Sequence, residues 1–541
     1  MIEILSKDLL GRITKFKTKT GVVETPAFLP VVHPLRELIS PKQMYRTFKC
    51  KAIITNAYLL FKEKEGNIHS LLDFPGTIMT DSGAYQLLVY GEIDVGPSQI
   101  IQFQERIGSD IAVILDIPTG GKSTYEQAMA TVEETLKRAA ESIPQRTRSD
   151  ILWVAPVQGG TYPTLVAESA RRISKLDFSI FAIGSPTQLL ERYRFAQLVE
   201  LVMTAKRNLP VDKPVHLFGA GHPIIFPLIV AMGCDMFDSA AYALFARNNR
   251  VLTSTGTYRL NEIKEEFCYC PTCVQYTVKE IKQLEQGERT RVLAEHNLYV
   301  CLQEISRIKQ AIREGRLWRL VESRLSSHPS IIDAMNQFSL YKDFIEKFSP
   351  VTKSKAIFFS SEWSLHQPEV IRHQRKMASY HPPVINQDIL LLMAAPITRP
   401  YHSAPEYSKV VISFKKHAPL LLSKLHIIFL SPYFGLVPIE LSDIYPLAQN
   451  ETPHLFPCNW VSRIIKQVSE YVLRNRCYST FIGILPNDKD WRQISKMCSM
   501  FFRNHSKQWI CVHTNFTKES LTKEIQHIIK KQYCDYLVSE N

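Results

Sequence analysis

At 541 residues, with 45% apolar and 22% charged side chains, the chain has the composition of a globular protein of roughly two to four domains. It holds no run of ~18 uninterrupted apolar residues, and its opening MIEILSKDLLGRITKF scatters charge where a secretory signal needs an apolar core; membrane spans and export are therefore not expected, and the cytoplasm is. Lys and Arg outnumber Asp and Glu by 65 to 52, a formal net charge of +13 that suits a polyanionic partner without requiring one.

Residues 24–32 (ETPAFLPVV) begin a series of short apolar runs that continues at 52–60, 77–88, 111–119, 151–160, 178–186, 215–223 and 236–244. The runs are rich in β-branched or aromatic residues and close on Gly, Ser, Pro or Asn, as buried parallel strands entering loops should. Amphipathic stretches such as 125–143 and 164–176 lie between them. Strands alternating with helices in this way predict an α/β fold, a (β/α)8 TIM barrel over 1–265. The rival, a doubly wound open sheet, would carry a Gly-x-Gly-x-x-Gly turn after its first strand, and the sequence has none there.

Residues 266–345 are expected to hold a metal-binding segment and the closing helices of the same domain. Within them, 286–325 predicts a helix with Leu298, Leu302, Ile305, Ile308, Ile312 and Leu317 on one face, a stripe for packing onto the barrel or a partner subunit. Beyond residue 345, strand-like pieces alternate with Pro-rich turns and then with helical stretches. An accessory α+β domain is expected over 346–455 and a second α+β domain over 456–541.

In a TIM barrel the carboxyl ends of the strands converge on one face, where active sites sit. Those ends carry Asp81-Ser82-Gly83 on the third strand and Asp116 on the fourth. The fifth carries Gln158 with two glycines, the sixth Gly184-Ser185 and the eighth Asp238. A single Asp after a strand often only caps a loop or helix, whereas three gathered carboxylates repel one another and are costly for stability alone. Two acids can divide a displacement at an anomeric carbon, one attacking the carbon and the other moving the leaving group's proton. A third, aided by amide groups, can hold a purine edge. The residues themselves point to ribosyl or glycosyl chemistry on a purine.

Cys268, Cys270 and Cys273 fall within six positions and His296 follows, a C-x-C-x-x-C…H pattern. Thiolates so closely spaced pair poorly as disulfides, and with an imidazole they suit one tetrahedral zinc ion with no open position, a structural site. The metal would pin the segment after the last barrel strand to the helix near Ala294 in place of a small core.

The stretches TDSGAYQ (80–86), DIAVILDIPT (110–119), PVQGG (156–160), AIGS (182–185) and MFDSAAYALFAR (236–247) resemble the tRNA-guanine transglycosylase family, and most closely its archaeal branch, which makes the archaeosine precursor. The resemblance covers about residues 5–345, and a weaker likeness continues through 362–376 and 433–451. It implies that Asp238 is the nucleophile toward ribose C1′ and Asp81 the general acid/base. Asp116 would read the guanine edge, with Ser82, Gln158 and the backbone at Gly184 and Ser185 completing the pocket and Tyr85 offering a stacking face. The implied partners are tRNA, at position 15 of the D-arm, and 7-cyano-7-deazaguanine as incoming base, with a homodimer as the active unit. The family's ligand order for zinc matches the cysteine–histidine cluster.

Members of that branch end in a small β-rich PUA-type domain that the tail 509–541 does not resemble, so a separate PUA-containing chain is one expected source of tRNA grip. The basic segments 372–376 and 414–417 suit phosphate contact or plain solvation equally. Two other readings stay open at this point. One is a barrel relative with another substrate, such as an archaeosine-synthase-like or DNA-modifying protein; the other is a non-catalytic tRNA-binding subunit.

Overall fold

The computed structural model describes residues 2–63, 66–84, 95–382, 387–517, 520–521 and 523–528, and it divides into two compact units, Met1–Pro350 and Val351–Asn541. The first unit begins with an antiparallel sheet of β1 (Ile2–Asp8), β2 (Gly11–Lys17) and β3 (Val22–Glu24), which the sequence reading did not anticipate. Eight parallel strands follow: β4 (Ala27–Pro30), β5 (Ala52–Asn56), β6 (Thr77–Asp81), β7 (Ile111–Val113), β8 (Leu152–Val157), β9 (Ile180–Ile183), β10 (Val215–Leu217) and β11 (Met236–Ser239). Each predicted apolar run contains one of them.

β11 pairs with β4, and a bridge between Val31 and Ile54 joins β4 to β5, so the ring closes as a TIM barrel. The backbone bond from Val32 N to Ile54 O (2.8 Å) and that from Thr55 Oγ1 to Val32 O (2.9 Å) secure the seam. The strands are buried along nearly their whole length because helices cover the outside and side chains fill the inside. Leu29, Ile54, Met79, Val113, Val154 and Met236 pack there in one cluster. Each such side chain contributes ~1.5–3 kcal/mol on burial, so the interior is a core and no channel.

Phe16 and Val23 of the amino-terminal sheet join that cluster. The same sheet grips the residues where barrel strands begin. Arg12 binds Asp235 through Nε (2.7 Å) and Nη2 (2.9 Å), Thr18 meets Thr77 at 2.8 Å, and Thr20 N donates to Asp110 Oδ1 at 3.1 Å. The amino-terminal mouth is thereby covered, while the face where the strands end is left to carry chemistry.

The outer helices follow their patterns. Tyr125–Ser142 is capped by Thr124, which accepts from Gln127 N, and it buries Ala128, Val132, Thr135, Leu136 and Ala139 at helical spacing. The single helix expected over 286–325 is two. Gln286–Glu314 stops at Gly315, whose φ of 68° lies in the left-handed region, and Leu317–Glu322 resumes beyond it. Leu298, Ile305, Ile308, Ile312 and Leu317 are buried against this chain's own β1, β2, β4 and neighbouring helices. A hairpin of β12 (Arg250–Leu252) and β13 (Thr257–Arg259) leads from the barrel to these helices.

The second unit holds β14 (Ile357–Phe358), β15 (Ile389–Ala394), β16 (Leu425–Ser431), β17 (Gly435–Pro438), β18 (Asn450–Glu451), β19 (Thr480–Pro486) and β20 (Gln508–Thr514). Five of them form one sheet in the order β17-β16-β15-β19-β20, parallel except at the β17 edge, while β14 and β18 pair separately. The boundary expected at 455/456 falls between strands of this one sheet, since β19 beyond it pairs with β15 before it. No helix among the described residues is long and apolar enough to cross a membrane.

Candidate active site and metal centre

Asp81 is the last residue of β6, Gln158 follows β8, His216 lies within β10 and Asp238 within β11; Asp116 stands three residues beyond β7. Parallel strands bring these positions to one mouth. Asp238 and Asp116 are buried, Gln158 still more completely, and Asp81 is half-buried.

Asp81 feels the other two carboxylates. Burial, and then the negative charges of Asp116 and Asp238, push the Asp81 carboxyl up to about 7, although the backbone N–H groups of Ser82 and Gly83 favour its ionised form. Burial also pushes Asp116 up to about 6, held back by the Gln158 amide, its own backbone N–H and the charge of Arg138. Two acids are thus poised to exchange protons near neutrality.

Gln158 organises the Asp116 side. Its Nε2 donates to Asp116 Oδ2 at 2.5 Å, while its Oε1 accepts from Thr119 N (3.0 Å) and Ser185 Oγ (2.8 Å). These partners settle which way the amide points. The close packing explains the small residue beside it, for a Cβ on Gly184 would lie 2.2 Å from Gln158 Nε2. Ser185 accepts a left-handed φ of 62° to keep its hydroxyl on the amide. Ser82 is fully buried, and its Oγ has no hydrogen-bond partner among the described residues.

On the opposite side, Asp238 Oδ1 lies 2.8 Å from His216 Nε2 and 3.3 Å from the Gly219 backbone N–H. His216 is a site residue that the sequence reading missed. Its only signal was a histidine amid the apolar VHLF of a predicted strand, where a buried imidazole needs a partner. Of the residues named from sequence, Asp81, Ser82, Asp116, Gln158, Gly184, Ser185 and Asp238 are brought to this mouth. Tyr85 lies outside the described residues.

Cys268, Cys270, Cys273 and His296 gather elsewhere in the same unit, their ligand atoms all within 4.8 Å of one another. His296 Nδ1 is 3.5 Å from Cys270 Sγ and 3.3 Å from Cys273 Sγ. A tetrahedral zinc ion with bonds of ~2.3 Å to sulfur and ~2.0 Å to nitrogen sets that edge at about 3.5 Å, so the cluster could hold one. His296 Nε2 lies 3.0 Å from Leu252 O, which fixes the tautomer and turns the Nδ1 lone pair toward the thiols. The cysteines follow the β12–β13 hairpin and His296 is on Gln286–Glu314; neither element carries a mouth carboxylate.

Chemically, the mouth combines a carboxylate held by donors on one oxygen, a proton-exchanging acid beside it, and an acid-plus-amide edge suited to a base with adjacent N–H donors. The family described as queuine tRNA-ribosyltransferase (TGT) matches residues 8–330. The chain is 42% identical over 472 residues to the tRNA-guanine(15) transglycosylase of Methanococcus aeolicus, covering 84% of this chain and 69% of that protein. It is also 42% identical over 468 residues to the tRNA-guanine(15) transglycosylase of Methanocaldococcus jannaschii, with 84% and 69% covered. A protein of the same name from Pyrobaculum aerophilum is 42% identical over 456 residues, covering 83% of this chain and 90% of its own length.

Proposed function

The chain belongs to the TGT family of queuine tRNA-ribosyltransferases, and on that premise we propose that it exchanges the guanine at position 15 of tRNA for 7-cyano-7-deazaguanine through a covalent ribosyl–Asp238 intermediate in archaeosine biosynthesis. In the first half-reaction an Asp238 oxygen attacks ribose C1′. The C1′–N9 bond breaks, its electron pair stays on guanine, and protonated Asp81 delivers the proton that lets guanine leave neutral. In the second, ionised Asp81 takes the N9–H proton of the incoming base, N9 attacks C1′, and the ester bond to Asp238 breaks. One glycosidic bond replaces another, so no nucleotide hydrolysis is needed, and two inversions retain the anomeric configuration.

The observation that carries this reading is the burial of Asp81 beside Asp116 and Asp238; burial first, and then the charges of those two acids, push its carboxyl up to about 7, where it can serve as acid and then base. Asp116 accepts from the N1–H and exocyclic amine shared by guanine and its 7-deaza analogue. Gln158 spends one Nε2 hydrogen on Asp116 and has a second for O6. Ser82 and the backbone at Gly184 and Ser185 complete the pocket, and Tyr85 is assigned the stacking face. The target nucleotide must leave the tRNA core to enter, at a cost in unstacking that a basic surface helps offset. We assign one structural zinc ion to Cys268, Cys270, Cys273 and His296; it supplies cross-linking and takes no part in proton or sugar chemistry. The active unit we assign is a homodimer.

Purified protein incubated with unmodified archaeal tRNA and labelled guanine, then chased with 7-cyano-7-deazaguanine, tests the reading. Label should enter tRNA at position 15 and be displaced by the deazapurine. Binding of tRNA with no exchange would instead favour a non-catalytic subunit, and exchange on DNA a relative with another substrate.

A further inference from the structure

We infer that His216 is a positioning residue for the nucleophile, holding Asp238 by one oxygen so that the other is the atom that attacks the sugar. The inference rests on Asp238 acting as nucleophile, as proposed above. Oδ1 has two donors in reach, His216 Nε2 at 2.8 Å and the Gly219 N–H at 3.3 Å, and both come from β10 and the turn that follows it. No donor to Oδ2 is present among the described residues, so the two oxygens are unlike. An oxygen engaged by two donors has its lone pairs drawn off, and the unengaged one keeps them for C1′.

The imidazole is well built for this. His216 is fully buried, and its ring is braced edge-on by Phe218 at 4.8 Å between centroids. Its Nδ1 is buried with no hydrogen-bond partner among the described residues. A second ring proton there would have no acceptor, whereas a lone pair is tolerated, so the neutral tautomer with the proton on Nε2 fits the site. A neutral donor orients the carboxylate without the full charge that an Arg or Lys would place against it, and so leaves it reactive. Gly219 makes the second contact possible, since its φ of 74° turns the N–H inward.

His216→Gln keeps an N–H near the Nε2 position, His216→Asn moves the amide to the Nδ1 position, and His216→Phe keeps a ring without a donor. Each is compared with wild type for guanine exchange, for tRNA affinity by filter binding, and for single-turnover yield of the covalent tRNA–protein adduct on denaturing gels. Losing the contact that fixes the attacking carboxylate, a misplacement of about 1 Å, lowers kcat by about 100-fold. His216→Phe and His216→Asn are expected to show that loss, with adduct formation slowed equally and tRNA affinity within about threefold; His216→Gln should recover to within about tenfold of wild type.

Gln falling as far as Phe and Asn would overturn the inference, because ring packing would then be what matters; so would a His216→Asn protein with wild-type exchange. Should the Phe variant fail to fold, the Gln and Asn pair decides alone. Failure of the underlying reaction is distinguishable, since it appears as no exchange by the wild-type protein, or as exchange that survives Asp238→Ala.

Discussion

The amide Nε2 of Gln158 donates to Asp116 Oδ2 at 2.5 Å, joining the end of one barrel strand to the loop after its neighbour. That bond favours the ionised form of Asp116 against the effect of burial and aims it, and Thr119 and Ser185 in turn aim the amide. The direction of the carboxylate proposed to read the purine edge therefore depends on three other residues.

Gln158→Ala should weaken the base pocket and spare the tRNA surface. Losing one buried partner of a carboxylate costs ~1–3 kcal/mol, which predicts a KM for guanine raised about 5- to 160-fold with tRNA affinity unchanged. Saturation curves for labelled guanine at fixed tRNA measure it. An unchanged KM would remove Gln158 from the pocket.

The pH profile should differ between the two substrates. In the proposed mechanism Asp81, pushed up to about 7, is protonated to release guanine from tRNA and ionised to accept the incoming base. The rate of single-turnover guanine release is expected to fall above pH 7, and the rate of base incorporation into the preformed adduct to fall below it. Asp81→Asn should abolish both limbs with the residual activity.

The same carboxyls predict a stability trend opposite to that of most ion-paired acids. Asp81 and Asp116 bind protons more tightly in the folded chain than at the ordinary value of ~3.9, so their contribution favours folding at low pH. It is lost as pH rises toward about 6 for Asp116 and about 7 for Asp81. Asp81→Asn should therefore melt above wild type at pH 8, with the gain shrinking as pH falls toward 4. A variant less stable than wild type at pH 8 would contradict the direction.

Arg12 is expected to be structural. Its guanidinium grips Asp235 through two bonds in a buried setting and also donates to Lys213 O at 2.8 Å. Arg12→Met leaves Asp235 without its counter-charge and should destabilise the first unit by ~3–5 kcal/mol in chemical denaturation. Guanine KM in the surviving folded fraction should stay at the wild-type value.

Cys270→Ser should lower bound zinc, measured by elemental analysis against a stoichiometry near one, and lower the melting temperature of the segment it anchors. Strong chelators should do the same to wild type. Exchange should fall with the loss of structure, and zinc resupply should restore wild type alone.

Legibility followed how local each signal is. The eight barrel strands were readable because each is a short apolar run with a turn at its end, and both neighbours and both faces bury it. The cysteine–histidine cluster was readable because three of its ligands share six positions. The amino-terminal sheet was not: β1 shows no alternation, running from exposed Glu3, Ile4 and Leu5 to buried Asp8, and the sheet is tied down by contacts at barrel strand starts such as Thr18 with Thr77. The break in the long helix turns on one residue, Gly315, whose conformation the surrounding periodicity hides.

By itself the sequence determined which acids can share a mouth, because parallel strands in alternation with helices must all end on one face, and Asp81, Asp116 and Asp238 sit at or just past such ends. It determined the candidate metal-ligand set and the family in the same way, through spacing along the chain. Only the tertiary structure decided which partner each acid has, that His216 stands against Asp238, and that strands on either side of residue 455 share one sheet. Those relationships depend on distances between segments tens of residues apart, which packing sets and no local pattern records.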